Sequence, residues 1–371
     1  MPAVTASDVR HQTSDVLIAG AGLLGRLLAW RLLRAGHAVS LFDRDQPGAE
    51  RSAAKVAAAM LAPYSEAVAC EREIFDWGLE SMARWPQWLE ELEADSGMRV
   101  ELRLRGSLVV AHARDAALLD HFNQLLRARV GSTDAVQYLD AAGVRDCEPE
   151  LAGAFSRGTF LNGEGCLDNW QLLDALHTAI LRLGGNWHCG AEVQALRGGG
   201  LRVNGEWLNA GQVIDCRGTG AKPDAPRLRG VRGEVLWVQA PEVQLSRPVR
   251  LMHPRYQLYI SPRPDHIYVI GATEIESEST APITVRSSLE LQSALYSLHR
   301  GFSEAHILKA YAQCRPAYPD NLPRIDSEPG LLRVNGLYRH GYLLSPLVAE
   351  LALQSLHGPV DHSIVRRPVA A

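Results

Sequence analysis

The apolar positions of this chain fall into short runs and helical stripes that follow one another along most of its length. Residues 16–19 form a short apolar run and predict a buried strand. Leu23, Leu24, Leu27, Leu28, Trp30, Leu32 and Leu33 then recur at helical spacing, and Gly36 is the expected stop. Residues 38–42 predict a second buried strand, ending at Asp43. Together these make one βαβ unit near the N-terminus. Residues 72–97 alternate apolar and charged positions like a single helix, with a kink expected at Pro86. Residues 103–112 predict a bent strand, and a helix is expected around 116–129. Within 163–185 lies another helix, with Asp168 as its N-cap and Gly184-Gly185 as its stop. Residues 186–196 read as one strand, and 208–221 as a strand running into a second glycine turn. Beyond Gly230 the period shortens, and 233–240, 256–264 and 266–273 read as strands between turn residues. A helix near 287–300, a strand in 331–338 and a terminal helix from Pro346, N-capped by Ser345, complete the pattern. The fold class is therefore α/β with an antiparallel-rich insert.

Composition narrows the function classes. A chain of 371 residues predicts two domains, and 46% apolar with 22% charged residues is globular composition. A net charge of −4 gives no reason to expect nucleic acid or an anionic membrane as partner. The six cysteines (Cys70, Cys147, Cys166, Cys189, Cys216, Cys314) are scattered without a C-x-x-C, which predicts reduced thiols and a cytoplasmic setting. The thirteen histidines show no metal-ligand spacing, so no metal is expected. No apolar run reaches the roughly 18 residues that span a bilayer. The polar residues 1–14 lack the apolar core of a signal peptide and are expected to be a loose tail.

The chemistry begins at Gly20, Gly22 and Gly25, a G-x-G-x-x-G that follows a strand and opens a helix. Gly20 allows a tight turn, Gly22 lets a pyrophosphate approach the backbone and Gly25 lets the helix pack on the strand. Leu24 falls in the first helical turn, whose free N–H groups suit phosphate. Asp43, at the end of the second strand, suits the hydroxyls of an unphosphorylated adenosine ribose, with Arg44 beside it. These residues predict a dinucleotide. Three further segments predict a flavin. Residues 51–63 are a run of small side chains suited to packing against a ring system. Gly218 and Gly220 follow a second apolar strand, where a chain can close over the far side of a dinucleotide. Residues 339–346 lead into a helix whose N-terminus can face a group that becomes anionic.

The segments "SAAKVAAAMLAPYSEA", "RGEVLWV", "LYISPR", "YVIGATEIE", "RPAYPDNLPRID" and "GLYRHGYLLSP" occur in this order. In this order and spacing the chain resembles FAD-dependent oxidoreductases of the D-amino-acid oxidase type, most closely the glycine oxidases of thiamine biosynthesis, over residues 15–357. The resemblance implies a Rossmann-type FAD-binding domain (15–85, 146–222 and 311–371) and an antiparallel-sheet substrate-binding domain (86–145 and 223–310). It also implies non-covalent FAD and oxidation of a small amino acid or amine by hydride transfer, with molecular oxygen as acceptor, and it leaves room for a homo-oligomer. Arg315 matches the arginine that grips the substrate carboxylate, Tyr259 the tyrosine that shares it, and Arg339 a second active-site arginine. Ser52, Ala59 and Met60 match the segment beside the flavin, Glu192 and Val193 the strand at the adenine end. His340, Gly341, Tyr342 and Leu343 match the loop at the pyrimidine edge. A guanidinium fork and a phenol are suited to hold one carboxylate.

Two positions depart from the resemblance. Ala59 stands where a glycine is usual, and His340 where an asparagine is usual. Cys314 falls near the flavin-linked cysteine of monomeric sarcosine oxidases, yet an unlinked thiol is the expectation. The alternatives to glycine oxidation are an oxidase of sarcosine or another N-methyl amino acid, a D-amino-acid dehydrogenase, and a tRNA-modifying demethylating oxidoreductase of the same fold.

Overall fold

A computed structural model describes residues 14–48, 51–255 and 257–366 of the chain. The expected tail, residues 1–14, lies outside the described residues except for Ser14. At the N-terminus, β1 (Val16–Ala19), α1 (Leu23–Arg34) and β2 (Val39–Asp43) form the βαβ unit, with β1 and β2 parallel. On the other side of β1 runs β3 (Gln212–Asp215), also parallel. The two glycine turns therefore leave the sheet side by side, and Cys216 N donates to Ala19 O at 2.7 Å. Leu331–Asn335 extends this seven-stranded sheet beyond β3, and Asn186–Cys189 extends it beyond β2. The buried face of α1 (Leu27, Leu28 and Trp30) packs with helix Asn169–Arg182 and the terminal helix α2 (Gly341–His357) into one apolar core.

A second, eight-stranded sheet holds β4 (Arg229–Gln239), β5 (Val249–Met252), β6 (Gln257–Pro262), β7 (Ile267–Gly271) and β8 (His306–Ala317), in the order β8, β4, β7, β6, β5. Ser107–Ala111, Arg157–Leu161 and Val136–Asp140 continue it past β5. The pairs are antiparallel except for β5 with Ser107–Ala111, which is parallel, so the sheet is antiparallel-rich, as expected. Leu236, Val238, Ile260 and Ile270 bury one face of it with helix Val285–Leu298.

Several expected elements come out differently. The single helix over 72–97 is two helices, Arg72–Met82 and Trp85–Ser96. Pro86 sits in the first turn of the second, where a missing N–H breaks no bond, so it starts a helix and does not kink one. That helix lies in the nucleotide-side core, with Trp85 fully buried and Trp88 edge-on to Trp30 at 6.0 Å. The strand expected over 186–196 breaks at Gly190, whose φ is +69°. Asn186–Cys189 stays in the large sheet, while Val193–Arg197 joins a separate three-stranded one. Segment 86–96 thus packs with the dinucleotide side and Arg157–Leu161 pairs in the other sheet, each across the division expected from sequence. Among the described residues no helix is long and apolar enough to cross a membrane, and no His/Cys/Asp/Glu group could hold a metal ion.

Candidate active site

A cavity of about 910 Å³ runs from the ends of β1, β2 and β3 to the second sheet. Its first end is built on the glycine turn. A β-carbon at Gly20 would lie 2.6 Å from Cys216 O, and one at Gly25 would lie 1.8 Å from Gly20 O. Both glycines are demanded by the protein's own packing, and Gly20 also by its φ of +97°. Gly22 differs, because a β-carbon there would meet nothing within 4 Å and would project into open space. What calls for a glycine at Gly22 is therefore something that fills the cavity. Gly22 is also the N-cap of α1, makes no side-chain cap and is followed by no acid in the first turn. Its N–H groups are thus available to an anion. Asp43 Oδ2 accepts from Ala21 N at 2.6 Å and Oδ1 from Asp45 N at 2.9 Å, which fixes the carboxylate on the cavity wall. Leu24, exposed Arg44, Glu192, Val193, Gly218 and Gly220 line the same end. Asn335 Nδ2 donates to Gly218 O at 2.9 Å and pins the second turn. A phosphate-accepting turn, a ribose-directed acid and a long cleft fit a dinucleotide.

The middle of the wall is the small-residue segment. Ser52 caps the short helix Ala53–Val56 by accepting from Lys55 N at 3.1 Å. The carbonyls of the segment are held from behind. Ala54 O receives Asn169 Nδ2 and the Tyr342 hydroxyl, Lys55 O receives Trp170 Nε1, and Ala58 O receives Arg263 Nη2. Its opposite edge, from Val56 to Met60, borders the cavity. Ala59 has a φ of +46°, the left-handed region that favours glycine. The usual glycine here answers a backbone requirement, and Ala59 meets it under strain.

The far end is charged. Arg315, near the end of β8, lays its guanidinium against Gly233 of β4, where a β-carbon would lie 2.4 Å from Arg315 Cζ. Both of its Nη atoms donate to Thr273 O at 3.2 Å. Among the described residues Arg315 has no carboxylate partner. Tyr259 crosses Gly271 in the same way, with its hydroxyl oxygen 2.8 Å from the site of a β-carbon there. Arg250 stands opposite Tyr259 across the β5–β6 pair. Its Nη2 donates to Glu66 Oε1 at 2.7 Å, while Arg339 Nε lies 2.8 Å from Glu66 Oε2. Arg339 Nη1 also reaches Glu274 Oε2 at 3.0 Å. Burial would push the Glu66 carboxyl up, but Arg339 and Arg250 outweigh it and hold the carboxyl far below its ordinary range. Glu66 in turn raises Arg339. Burial raises the Tyr259 phenol, with Arg315 and Arg250 opposing.

Tyr259, Arg315, Arg339, Ser52, Ala59, Met60, Gly341 and Tyr342 thus share one cavity with Gly20, Gly22 and Asp43. Gly25, His340 and Leu343 do not border it. Gly25 is packed under Gly20, and Leu343 turns into the core toward Gly78. His340 is buried behind Glu66, 3.8 Å away, and desolvation holds its imidazole down at about 4 against the pull of Glu66. The terminal helix also begins earlier than expected, at Gly341 after His340, so Ser345 is not its N-cap and Pro346 lies within it. The carbonyl that Pro346 leaves unmatched, Tyr342 O, receives Trp85 Nε1 at 3.0 Å. Sequence reading missed Glu66, Arg250 and Glu274. Glu66 was legible as the one acid of the segment "SAAKVAAAMLAPYSEA", whereas Arg250 and Glu274 carry no local signal. Cys314 alternates with Arg315 along β8, and its Sγ points to Ser277 O and Ser279 O, at 3.7 Å each. It is a free thiol on the opposite face of the strand from Arg315.

Known proteins match this arrangement. The model of the family described as "FAD dependent oxidoreductase" (DAO) matches residues 15–354. A Rhizobium etli protein named as a thiamine biosynthesis oxidoreductase, ThiO, is 40% identical over 335 residues, covering 90% of this chain and 94% of the relative. A glycine oxidase of Geobacillus kaustophilus is 27% identical over 351 residues, 91% of each chain. The crystal structure of glycine oxidase from Geobacillus kaustophilus superposes with a TM-score of 0.83 at 25% identity, covering 95% of this chain and 96% of that one. With the dinucleotide cleft and the charged far end in place, the chain belongs to the DAO family of FAD-dependent oxidoreductases.

Proposed function

We propose that this flavoenzyme oxidises glycine, or a closely related small amino acid, to its imine, and that the imine hydrolyses to the oxo acid and ammonia. The observation that carries this reading is Arg315, a guanidinium on the cavity wall whose Nη atoms, among the described residues, meet only backbone carbonyls. A substrate carboxylate supplies the missing anion, and the Tyr259 hydroxyl supplies a further hydrogen bond to it. The relatives named ThiO and glycine oxidase support the choice of substrate and a place in thiamine biosynthesis. The six free thiols support a cytoplasmic setting.

In this reading Gly20, Gly22, Leu24 and Asp43 hold the adenosine diphosphate end of FAD, with Glu192 and Val193 at the adenine. Val56 to Met60, Gly341 and Tyr342 border the flavin. Held there, FAD would supply two-electron acceptor chemistry, with molecular oxygen as the final acceptor and hydrogen peroxide as the by-product. The protein's own part is orientation. Arg315 and Tyr259 fix the carboxylate so that the Cα–H has one direction in which to leave. The amine loses its lone-pair freedom to the forming C=N bond and needs no strong protein base if it binds neutral. A methyl group more or less on the amine changes binding by only about 1–3 kcal/mol, so sarcosine is the nearest competing substrate. Arg315→Ala is the test. It is expected to retain flavin and lower kcat/KM for glycine by roughly 100-fold or more. Unchanged glycine turnover would overturn the assignment.

A further inference from the structure

We infer that Glu66 sets the substrate class by limiting the site to amino acids with a single carboxylate. This rests on the reading of Arg315 as the carboxylate grip. The charges clustered about Glu66 and Tyr259 on the cavity wall are Arg250, Arg315, Arg339, Glu66 and Glu274; exposed Arg255 and Arg286 and half-buried Glu290 also line the cavity but stand outside this cluster. Within this cluster three guanidiniums face two carboxylates, which leaves one positive charge. His340, held neutral behind them, adds none. Glu66 gives one oxygen to Arg250 at 2.7 Å and the other to Arg339 at 2.8 Å, and Glu274 takes a further donor of Arg339. Within the cluster, and among the described residues, the unmatched cation is Arg315, and it balances one substrate carboxylate.

A second carboxylate on the substrate would enter a region whose two other guanidiniums are already matched and where the Glu66 carboxylate is held ionised by them. It would lose its water without gaining a cation, and like charges would repel it. The Glu66 carboxylate, bridging two arginines from inside the protein, occupies the place that such a group would need. Arg250 is close enough to take part, because it stands directly across from Tyr259, with its guanidinium 5.9 Å from the ring centroid. Removing the charge of Glu66 while keeping its shape would free Arg250 and half-free Arg339 on the same wall as Arg315. The pocket would then carry enough positive charge for two carboxylates.

The experiment titrates the FAD-loaded enzyme with acetate and with malonate, which carry one and two carboxylates and no oxidisable amine, and follows the flavin absorbance spectrum. Wild type is expected to bind acetate and to bind malonate at least about tenfold more weakly. Glu66→Gln is expected to shift the malonate-to-acetate Kd ratio at least about tenfold toward malonate, and the double variant Glu66→Gln/Arg250→Gln to lose most of that gain. If Glu66→Gln does not hold flavin, Glu274→Gln, which frees the more exposed side of Arg339, is expected to shift the ratio the same way by less. A ratio that stays put in the flavin-loaded variant overturns the inference, as does a wild type that binds malonate as tightly as acetate. Failure of wild type to bind acetate would instead overturn the reading of Arg315, so the two failures are distinguishable.

Discussion

The guanidinium of Arg315 lies across Gly233 so closely that a β-carbon there would stand 2.4 Å from Cζ. Strand β4 thereby provides a bare stretch of backbone on which the arginine of β8 rests. Gly233→Ala is expected to leave flavin binding intact and to lower kcat/KM for glycine by roughly 100-fold, since a shift of about an ångström in a positioning group costs that much. Steady-state kinetics on the flavin-loaded variant check this.

On the other face of β4, Arg232 and Glu234 form a buried pair that does not touch the cavity. Arg232 Nη1 donates to Ser279 O and Ala281 O and Nη2 to Pro282 O, while Nε and Nη2 bond Glu234 Oε1. Glu234 Oε2 accepts the Thr273 hydroxyl at 3.0 Å. The pair thus ties down the segment that offers Thr273 O to Arg315 and Glu274 to Arg339. Glu234→Gln, which leaves Arg232 as an uncompensated buried charge, is expected to cost roughly 3–5 kcal/mol of stability. A denaturant melt measures the cost, and a raised KM for glycine would report the loosened wall.

Ala59 occupies a left-handed backbone position, φ +46°, in the flavin-facing segment. An L-residue there is strained by roughly 1 kcal/mol, and glycine relieves the strain while losing more entropy on folding. Ala59→Gly is therefore expected to change stability by less than about 1 kcal/mol, in the stabilising direction. Ala59→Val, with its branched side chain, is expected to destabilise by more. Thermal melts of the three proteins side by side test the order.

His340 is 3% exposed and stays neutral down to about pH 4, below its ordinary value of 6.5. As pH falls from 6.5 toward 4, the unfolded chain takes up a proton that the folded chain does not. Stability is then fully present above that window and is lost on descending through it, by at most about 3 kcal/mol. His340→Asn is expected to flatten this part of the stability profile. A pH series of melts for both proteins decides it.

The first βαβ unit and its three glycines were legible because their requirements are local. A strand, a tight turn and a helix are written in consecutive residues, and the missing β-carbons at Gly20 and Gly25 answer contacts within the same motif and the neighbouring strand. Arg315 and Tyr259 could be named from their segments, but nothing in those segments shows what lies against them. Gly233 and Gly271 meet them only through strand pairing, Val231 opposite Arg315 and Tyr259 opposite Gly271.

What the sequence by itself determined is an α/β chain with a dinucleotide-type glycine turn, since periodicity and motif are short-range properties, whereas a carboxylate grip at Arg315 was only what the resemblance implies. Tertiary structure decided the charge of the pocket. Glu66, Arg250, Glu274 and Arg339 come from four separate stretches of chain, and none of those stretches shows which of the others its charge will meet. Coulomb forces depend on distance in space, so which of these charges cancel and which one is left for the substrate is settled only when the strands and the terminal helix have packed.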